Sequence, residues 1–287
     1  MKYVLLVLLS VLASCSKEVE ETPVAPTPQP WFEDAAKEWG VDFTYQNGAK
    51  GNFHIKEVTG GGAALFDYDN DGDLDLYIVQ GSAVEGNALF ENVDGTFINR
   101  SQSSGADDNG YGIGVATGDY DNDGDVDLYV TNIGVNALLR NDGNGKFTDV
   151  TTFSGTEDEG FSACSAFGDL DGDGDLDLVV TKYLDVELIT DRECLDARSQ
   201  RTYCNPTIYG APMHDSLFIN NGDGTFTDAT ERSGLASEKG TGLGVFISDL
   251  TNDALPDIFI ANDAMPDRLW VNQGDGTFID EAMHRNI

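Results

Sequence analysis

The chain has 287 residues, 51 acidic side chains against 16 Lys and Arg, and a formal net charge of -35 at pH 7. Hydrophobic residues make up 40% of it and include 15 Phe, so the sequence can build a core and is not a disordered acidic tail. Self-repulsion of this size opposes compaction, and divalent cations are the expected neutralising partners. The few basic residues are not clustered. This argues against nucleic acid as a partner, because phosphate binding needs a basic surface.

The N-terminal segment 1–15 predicts an export signal. Lys2 gives a positive start, an apolar run extends from Tyr3 to Val11, and the sequence LASC ends at Cys15. That ending resembles a bacterial lipobox, which implies cleavage before Cys15 and lipidation of its thiol. The alternative is a plain secretory signal with a coincidental Cys. The apolar run is too short to span a bilayer.

Residues 16–30, SKEVEETPVAPTPQP, are acidic and then proline-rich, which is typical of an extended tether. Acidic residues directly after the lipid Cys also resemble surface-export signals of some Gram-negative lipoproteins. We therefore expect an exported protein, lipid-anchored to a bacterial membrane, preferably the outer one, and displayed at the cell surface. The folded body is predicted to span residues 31–287.

Three cysteines remain after Cys15. In an exported protein disulfides persist, so Cys194 and Cys204, which share one non-repetitive segment, are expected to pair. Cys164 lies in the apolar stretch FSACSAF and is predicted to be a structural thiol rather than a nucleophile.

An internal repeat organises the body of the chain. Four blocks align: GGAALFDYDNDGDLDLYIV, GIGVATGDYDNDGDVDLYV, FSACSAFGDLDGDGDLDLVV and LGVFISDLTNDALPDIFIA. Their first aspartates are Asp67, Asp119, Asp169 and Asp249. The period is about 50 residues. The longer interval before the fourth block contains an insertion, residues 184–213.

Each repeat predicts four short β-strands. The first runs into the aspartate-rich segment, the second is almost continuously apolar, and the last two flank an Asp-Gly or Asn-Gly turn, as in NALFENVDGTF. Repeated four-stranded units of this length predict an all-β fold, a β-propeller. A linear β-solenoid, whose repeats are usually shorter, and a pair of β-sandwiches, which would not repeat at a fixed period, are the alternatives.

The aspartate-rich segments have the spacing of calcium loops. Carboxylates fall at positions 1, 3, 5, 7 and 9 with Gly at position 6, so that alternate residues can surround one ion. Position 7 is expected to offer its backbone carbonyl. The predicted ligands are Asp67, Asp69, Asp71, Asp73 and Asp75 in the first loop, Asp119, Asp121, Asp123, Asp125 and Asp127 in the second, and Asp169, Asp171, Asp173, Asp175 and Asp177 in the third.

Other metals and folds fit these loops less well. Magnesium prefers a rigid octahedron with retained waters, and soft metals prefer His or Cys. An EF-hand requires Glu at position 12, where Ile78, Val130 and Val180 stand. Acidic turns that bind no ion are the alternative, yet four or five carboxylates within nine residues would repel one another strongly.

The fourth loop departs from the pattern. Thr251 stands at position 3 and Ala254 replaces the Gly, while Asp249, Asp253 and Asp257 remain. We expect about three structural calcium ions and a weak or empty fourth site.

These residues resemble the FG-GAP/VCBS repeat class, named partly for the Phe-Gly found here at Phe167. The segments EVTGGGAALFDYDNDGDLDLY, YCNPTIYG and LFINNGDGTFTDATERSGL are similar to bacterial relatives of cartilage acidic protein, which carry such repeats and then an ASPIC/UnbV domain. The resemblance covers residues 31–287. It implies a calcium-stabilised propeller of about seven blades with binding or adhesive roles.

Five segments share a tail in which Phe is followed eight residues later by Gly or Asn. They begin at Phe32, Phe97, Phe147, Phe226 and Phe278. The first precedes any aspartate loop and is predicted to be an orphan strand from another blade. We therefore expect four blades plus one strand of a larger propeller, with a closed four-bladed ring as the alternative.

The sequence lacks a recognisable catalytic motif. His54, His214 and His284 are isolated, and no GxSxG, HExxH or Walker loop is present. We favour a monomeric binding or adhesion module for an extracellular glycan or protein over the alternative, a calcium-dependent polysaccharide lyase or hydrolase. Such an enzyme would need a pocket away from the aspartates. The insertion is the region that concentrates suitable side chains: Arg192, Arg198, Arg201, Tyr203, Tyr209 and His214.

Overall fold

The computed structural model describes residues 32–82, 84–187 and 192–287. The chain divides into two compact units, Met1–Ala35 and Ala36–Ile287, and the described strands belong to the second. The predicted signal segment 1–15, its lipidated Cys15 and the tether 16–30 lie outside the described residues. Among the described residues, no helix is long and apolar enough to cross a bilayer.

The second unit contains four successive antiparallel units of four strands, which we call blades one to four. Blade one is formed by β1 (Ala63–Phe66), β2 (Asp75–Ile78), β3 (Ala88–Val93) and β4 (Thr96–Asn99). Blade two is formed by β5 (Tyr111–Gly118), β6 (Asp127–Val135), β7 (Ala137–Asn141) and β8 (Phe147–Asp149). The predicted all-β repeat fold is confirmed.

Blades three and four follow the same order. Blade three begins with β9 (Glu159–Gly168) and β10 (Asp177–Lys182), continues through an insertion hairpin of β11 (Cys194–Leu195) and β12 (Arg201–Thr202), and ends with β13 (Ser216–Asn220) and β14 (Phe226–Asp228). Blade four is formed by β15 (Gly242–Ser248), β16 (Asp257–Asn262), β17 (Arg268–Asn272) and β18 (Phe278–Asp280).

Short helices connect these strands. One-turn α-helices follow the last strand of each blade: α1 (Ser101–Ser104), α2 (Thr151–Ser154), α3 (Thr230–Ser233) and α4 (Ala282–Arg285). Short 3-10 helices lie at Ile55–Val58, Pro206–Ile208 and Leu235–Ser237.

The turn between the last two strands differs among blades. In blade one, Asp94 and Gly95 both have positive φ, 54° and 83°, as the predicted two-residue turn requires. Blade two instead uses a longer turn, closed by the Asp142 amide donating to the Lys146 carbonyl at 2.8 Å, with positive φ at two glycines. Blades three and four repeat the longer form, so the Asp-Gly signal marks the right place but not always the tight turn.

Blades pack face to face through the second strands. In β6, Leu128 and Val130 pack with Tyr77 of blade one, whereas Tyr129 packs with Leu178 of blade three. All five side chains are fully buried. Burial on both faces explains why this strand is continuously apolar. Removal of such large apolar surfaces from water is the main force that holds neighbouring blades together.

Blades two and three are also joined by backbone hydrogen bonds. The end of β6 pairs with the start of β9, Ile133 opposite Phe161 and Val135 opposite Glu159. The repeat pattern did not predict this link, because it depends on β6 and β9 extending beyond the strand lengths of blade one.

Each one-turn helix ends in a left-handed residue, Gly105, Gly155, Gly234 and finally Asn286. A Cβ on Gly105 would lie 2.8 Å from the carbonyl oxygen of Phe147 in the next tail. Gly40 approaches Phe97 in the same way, at 2.7 Å. The tails therefore dock one on the next, although residues 32–35, where an orphan strand was expected, form no strand.

The two outer blade faces expose apolar side chains. Leu65 of blade one is 61% exposed and has the place that Ile247 has in blade four, where Ile247 packs against Gly168 of blade three. On the other end face, Phe246 of blade four is 57% exposed. The equivalent residues of the other blades, which face a neighbouring blade, are half-buried.

Candidate metal centre

The aspartate loops connect the first and second strands of the blades. In the first loop, the Asp67 carboxylate accepts hydrogen bonds from the amides of Asp71, at 3.1 Å, and Gly72, at 2.9 Å. Gly72 has φ 95°, which a residue with a side chain adopts only at a cost. The second loop repeats these bonds from Asp123 and Gly124 to Asp119. The carboxylate of the first aspartate therefore holds the loop in a closed turn through these hydrogen bonds.

Carboxylates converge in three of the loops. In each group, one oxygen per residue lies within 4.8 Å of the others: Asp67, Asp69 and Asp71, then Asp119, Asp121 and Asp127, and then Asp169, Asp171 and Asp177. Like charges at this separation repel one another, so a cation between them would stabilise the arrangement. Oxygen atoms of this number and charge suit a hard divalent cation.

The position-3 carboxylates of the first two loops give the clearest indication that these loops suit a cation. Asp69 Oδ1 and Asp121 Oδ1 are buried and have no hydrogen-bond partner among the described residues. Burial first, and then the neighbouring carboxylates, raise the pKa of both groups above the usual range for Asp. A buried unpaired oxygen costs free energy, whereas coordination of a metal ion would satisfy it. The residues therefore fit a bound cation.

Position 9 has a structural role that the spacing alone did not reveal. Asp127 is fully buried, and its two oxygens accept from the Tyr120 amide at 3.1 Å and the Asn141 amide at 2.7 Å. Asp75 and Asp177 make the same pair of bonds in their blades. Burial raises the pKa of the Asp127 carboxyl to about 8. This residue ties the loop to the third strand, and in the second and third loops it also lies within the converging group.

Position 7 links neighbouring loops through its side chain. Asp125 Oδ1 accepts from Asn70 Nδ2 at 2.5 Å, and Asp175 Oδ1 accepts from Asn122 Nδ2 at 2.6 Å. In each pair the Asn comes from the preceding loop. These carboxylates lie outside the three converging groups, as expected if position 7 offers a metal only its backbone carbonyl.

A family model for the FG-GAP-like repeat matches residues 67–130, 119–180 and 207–260. The chain belongs to the FG-GAP-like repeat family. The matched ranges contain all four loops and most of the four blades. None of the curated proteins compared matches this FG-GAP repeat chain.

Among solved structures, the FG-GAP repeat chain is similar to one described as the structural basis of specific recognition of non-reducing terminal N-acetylglucosamine by a lectin of Agrocybe aegerita. The two are 21% identical with a TM-score of 0.40, and the match covers 75% of this chain and 49% of that one. This chain thus spans about half the length of that structure. A similarity at this level does not indicate which ligand this chain binds.

The fourth loop of the FG-GAP repeat chain keeps the fold of the others with fewer carboxylates. Asp249 accepts from the Ala254 amide at 2.9 Å, and Asp257 accepts from Leu250 and Asn272. Ala254 has φ 72°, a strained value for a residue with a Cβ. Thr251 Oγ1, at position 3, is buried and has no partner in the described part of the chain, as is the case for Asp69 Oδ1 and Asp121 Oδ1. Within the described part of the chain, its aspartates do not form a converging group of three.

The remaining predicted residues are scattered. Cys194 and Cys204 are disulfide-bonded with Cα atoms 5.3 Å apart, and Cys164 is a half-buried free thiol. His214 Nδ1 lies 3.0 Å from the Glu238 carbonyl oxygen. His284 is exposed on α4.

Part of the insertion forms a pocket with residues that sequence reasoning did not connect. Arg192 and Arg201 line a cavity of about 300 Å³ together with Asn52, His54 and Glu193. Arg198, Tyr209 and His214 are not part of its lining. The sequence gives no signal for Asn52, because the left-handed φ of 61° at its neighbour Phe53 cannot be read from the amino-acid order.

Proposed function

We propose that this chain is a calcium-stabilised FG-GAP repeat β-propeller that serves an exported lipoprotein as a binding or adhesion module for an extracellular glycan or protein. The observation that carries the calcium part is the pair of buried, unpaired carboxylate oxygens at equivalent positions of two loops, Asp69 Oδ1 and Asp121 Oδ1. Each lies in a group of three carboxylates whose mutual repulsion a cation would relieve.

The residues that would hold the ions are the three converging groups, supported by the position-7 backbone carbonyls of Asp73, Asp125 and Asp175. Asp123 and Asp173, at position 5, would complete the second and third sites. The loops lie at strand ends and brace neighbouring blades, so the ions would act as structural staples. Binding of the extracellular ligand would take place on other surfaces of the blades.

Calorimetry of the metal-free chain tests the calcium part. We expect calcium to raise the melting temperature by several degrees or more at saturating concentration, because it binds the folded chain preferentially. Magnesium at the same concentration should give a much smaller increase, since it gives up its waters reluctantly. Identical melting temperatures in calcium and in chelator would contradict the proposal.

The binding part has its own test. The calcium-loaded chain is applied to an array of extracellular glycans and matrix proteins, with a chelated sample as the control. We expect binding that is lost with the fold when calcium is removed. Release of product from a bound polysaccharide would instead support the enzymatic alternative.

The export and anchoring part depends on Cys15. Incorporation of labelled palmitate into the chain, abolished by Cys15→Ala, is the expected result. Unchanged labelling in the variant would contradict lipidation at this thiol. The finer family resemblance, to bacterial relatives of cartilage acidic protein with an ASPIC/UnbV domain, remains part of this proposal.

A further inference from the structure

A second site lies away from the aspartate loops, in the pocket described above. Its wall combines two distant parts of the chain, Asn52 and His54 from one and Arg192, Glu193 and Arg201 from the other. The cavity measures about 300 Å³, at the lower end of the range for small-molecule sites. Each described residue of its lining is polar or charged, so the pocket suits a small polar ligand.

The charge of this pocket is opposite to that of the chain. The protein carries a net charge of -35 and only 16 Lys and Arg, yet two arginines converge here with a single carboxylate, Glu193. Two arginines and one carboxylate give these charged side chains a formal net charge of +1, which matches one monoanionic group. A doubly charged anion would exceed this formal charge.

Both arginines have N–H donors left over for a ligand. Arg192 Nη1 donates to the Ile208 carbonyl at 2.6 Å. Arg201 donates through Nη2 to the Asn52 carbonyl at 3.3 Å, and its Nε lies 3.1 Å from Glu193 Oε1. Each guanidinium has five N–H donors, so these bonds to described residues use a minority of them. A planar fork of this kind binds a carboxylate through two parallel hydrogen bonds.

The pocket is built on a braced framework. The disulfide between Cys194 and Cys204 closes the hairpin that carries Arg201, and β11 pairs with β12. On the other wall, Phe53 keeps its left-handed backbone while its ring contacts Tyr203 edge-on, with centroids 5.2 Å apart. A large residue holds such a conformation only where its surroundings enforce it, and these places cluster at ligand sites.

We propose that this pocket binds the carboxylate of an acidic saccharide, a hexuronate residue. The arginine pair receives the carboxylate, while Asn52 and Glu193 offer the donors and acceptors that sugar hydroxyls require. An acidic peptide has fewer hydroxyl groups than a saccharide to pair with this polar lining. This inference rests on the proposed binding function and names its ligand class and its site.

Isothermal titration of the full-length chain, saturated with calcium, tests the assignment. The probes are glucuronate, glucose, acetate and inorganic phosphate. Glucuronate should bind saturably, and glucose, which has the same ring without the carboxylate, at least tenfold more weakly. Acetate and phosphate should also bind at least tenfold more weakly than glucuronate, because they lack the hydroxyls or exceed the pocket's charge.

Variants localise the binding. Arg192→Gln and Arg201→Gln should each weaken glucuronate at least tenfold. The control Arg198→Gln, an exposed arginine of the same insertion outside the pocket, should bind as the parent does. Glu193→Gln should bind glucuronate two- to fivefold more tightly, because it removes the opposing charge. A merely structural arginine would not produce that gain.

Several results would overturn the inference. Equal affinity for glucose and glucuronate removes the role of the carboxylate, and equal affinity for acetate and glucuronate removes the role of the sugar. Equal losses in Arg198→Gln and Arg192→Gln place binding elsewhere. The calcium-dependent rise in melting temperature, measured on the same variants, reports on the proposed function separately and should persist in all of them.

Discussion

The side-chain amide of Asn141 in blade two donates a hydrogen bond of 2.8 Å to the carbonyl of Tyr68 in the first aspartate loop. The same bond joins Asn220 to Tyr120 at 2.7 Å and Asn272 to Leu170 at 2.8 Å. All three asparagines are buried. Each also donates its backbone amide to the position-9 aspartate of its own loop, so one residue connects two consecutive loops.

Loss of this bond should loosen a pair of blades. We expect Asn220→Ala to lower the free energy of unfolding by roughly 1–3 kcal/mol, because the buried Tyr120 carbonyl loses its donor. Asn92→Ala is the matched control, since the Asn92 amide reaches only Leu74 of its own blade, at 3.2 Å. Denaturant titration measures both. Equal destabilisation would show that the bond between blades contributes nothing of its own.

The side-chain links between loops predict cooperative calcium binding. Asn122→Gly removes the bond to Asp175 and retains a backbone that tolerates the φ of 58°. The third loop already has Gly172 at this position. We expect a shallower calcium titration curve and up to about a tenfold weaker affinity at one site, which corresponds to at most ~1.4 kcal/mol. Asn252→Gly, at the same position of the fourth loop with φ 69°, is the control and should leave the curve unchanged.

The effect of Asp121→Asn on stability should have opposite signs without and with calcium. In chelator, the variant should melt at a higher temperature than the parent, since it removes a partly buried charge crowded by Asp119 and Asp123. In saturating calcium the variant should melt at a lower temperature than the parent, because Asn at position 121 is a weaker calcium ligand than Asp. Scanning calorimetry in the two buffers checks this. Asp42→Asn, at an exposed carboxylate outside the loops, should shift neither value; a variant that melts lower in both buffers would contradict the metal role of Asp121.

Asp215 predicts a pH dependence that is independent of the loops. It lies beside the buried ion pair of Lys182 and Asp158, whose Nζ and Oδ1 are 2.6 Å apart, with Arg268 also near. Burial raises the pKa of the Asp215 carboxyl to about 7, against roughly 4 in an unfolded chain. Between about pH 4 and pH 7, Asp215 therefore keeps a proton in the folded state that it has lost in the unfolded state. This contribution to stability is complete below pH ~4 and is lost as the pH rises to about 7.

Asp215→Asn removes that dependence. Asparagine already occupies this position in blades one and two, where Asn87 and Asn136 accept the bond that Asp215 accepts from the Lys182 amide. We expect the variant to gain about 2 kcal/mol over the parent at pH 8 and almost nothing at pH 5. Asp267→Asn, at the same position of blade four, is the control. Parallel stability curves for parent and Asp215→Asn between pH 5 and pH 8 would exclude this role.

Much of this architecture could be predicted from local sequence. The aspartate spacing located the loop between the first two strands, and the continuous apolar run of the second strand matched a strand covered on both faces. The double role of Asp127 could not be read in the same way, because its partner Asn141 lies on another strand. The pocket could not be predicted either, because Asn52 and Arg201 are far apart in sequence and meet only in the folded chain.

The contact between successive tails is made by main-chain atoms on one side and a glycine without a side chain on the other, as where Gly105 meets the Phe147 carbonyl. Such a joint places few demands on sequence beyond that glycine. A repeat inserted after any tail would meet the same kind of main-chain docking surface that it contacts at its original position. At this contact, therefore, gain or loss of a whole blade requires no new side-chain match, whereas the apolar faces between blades must still fit each other.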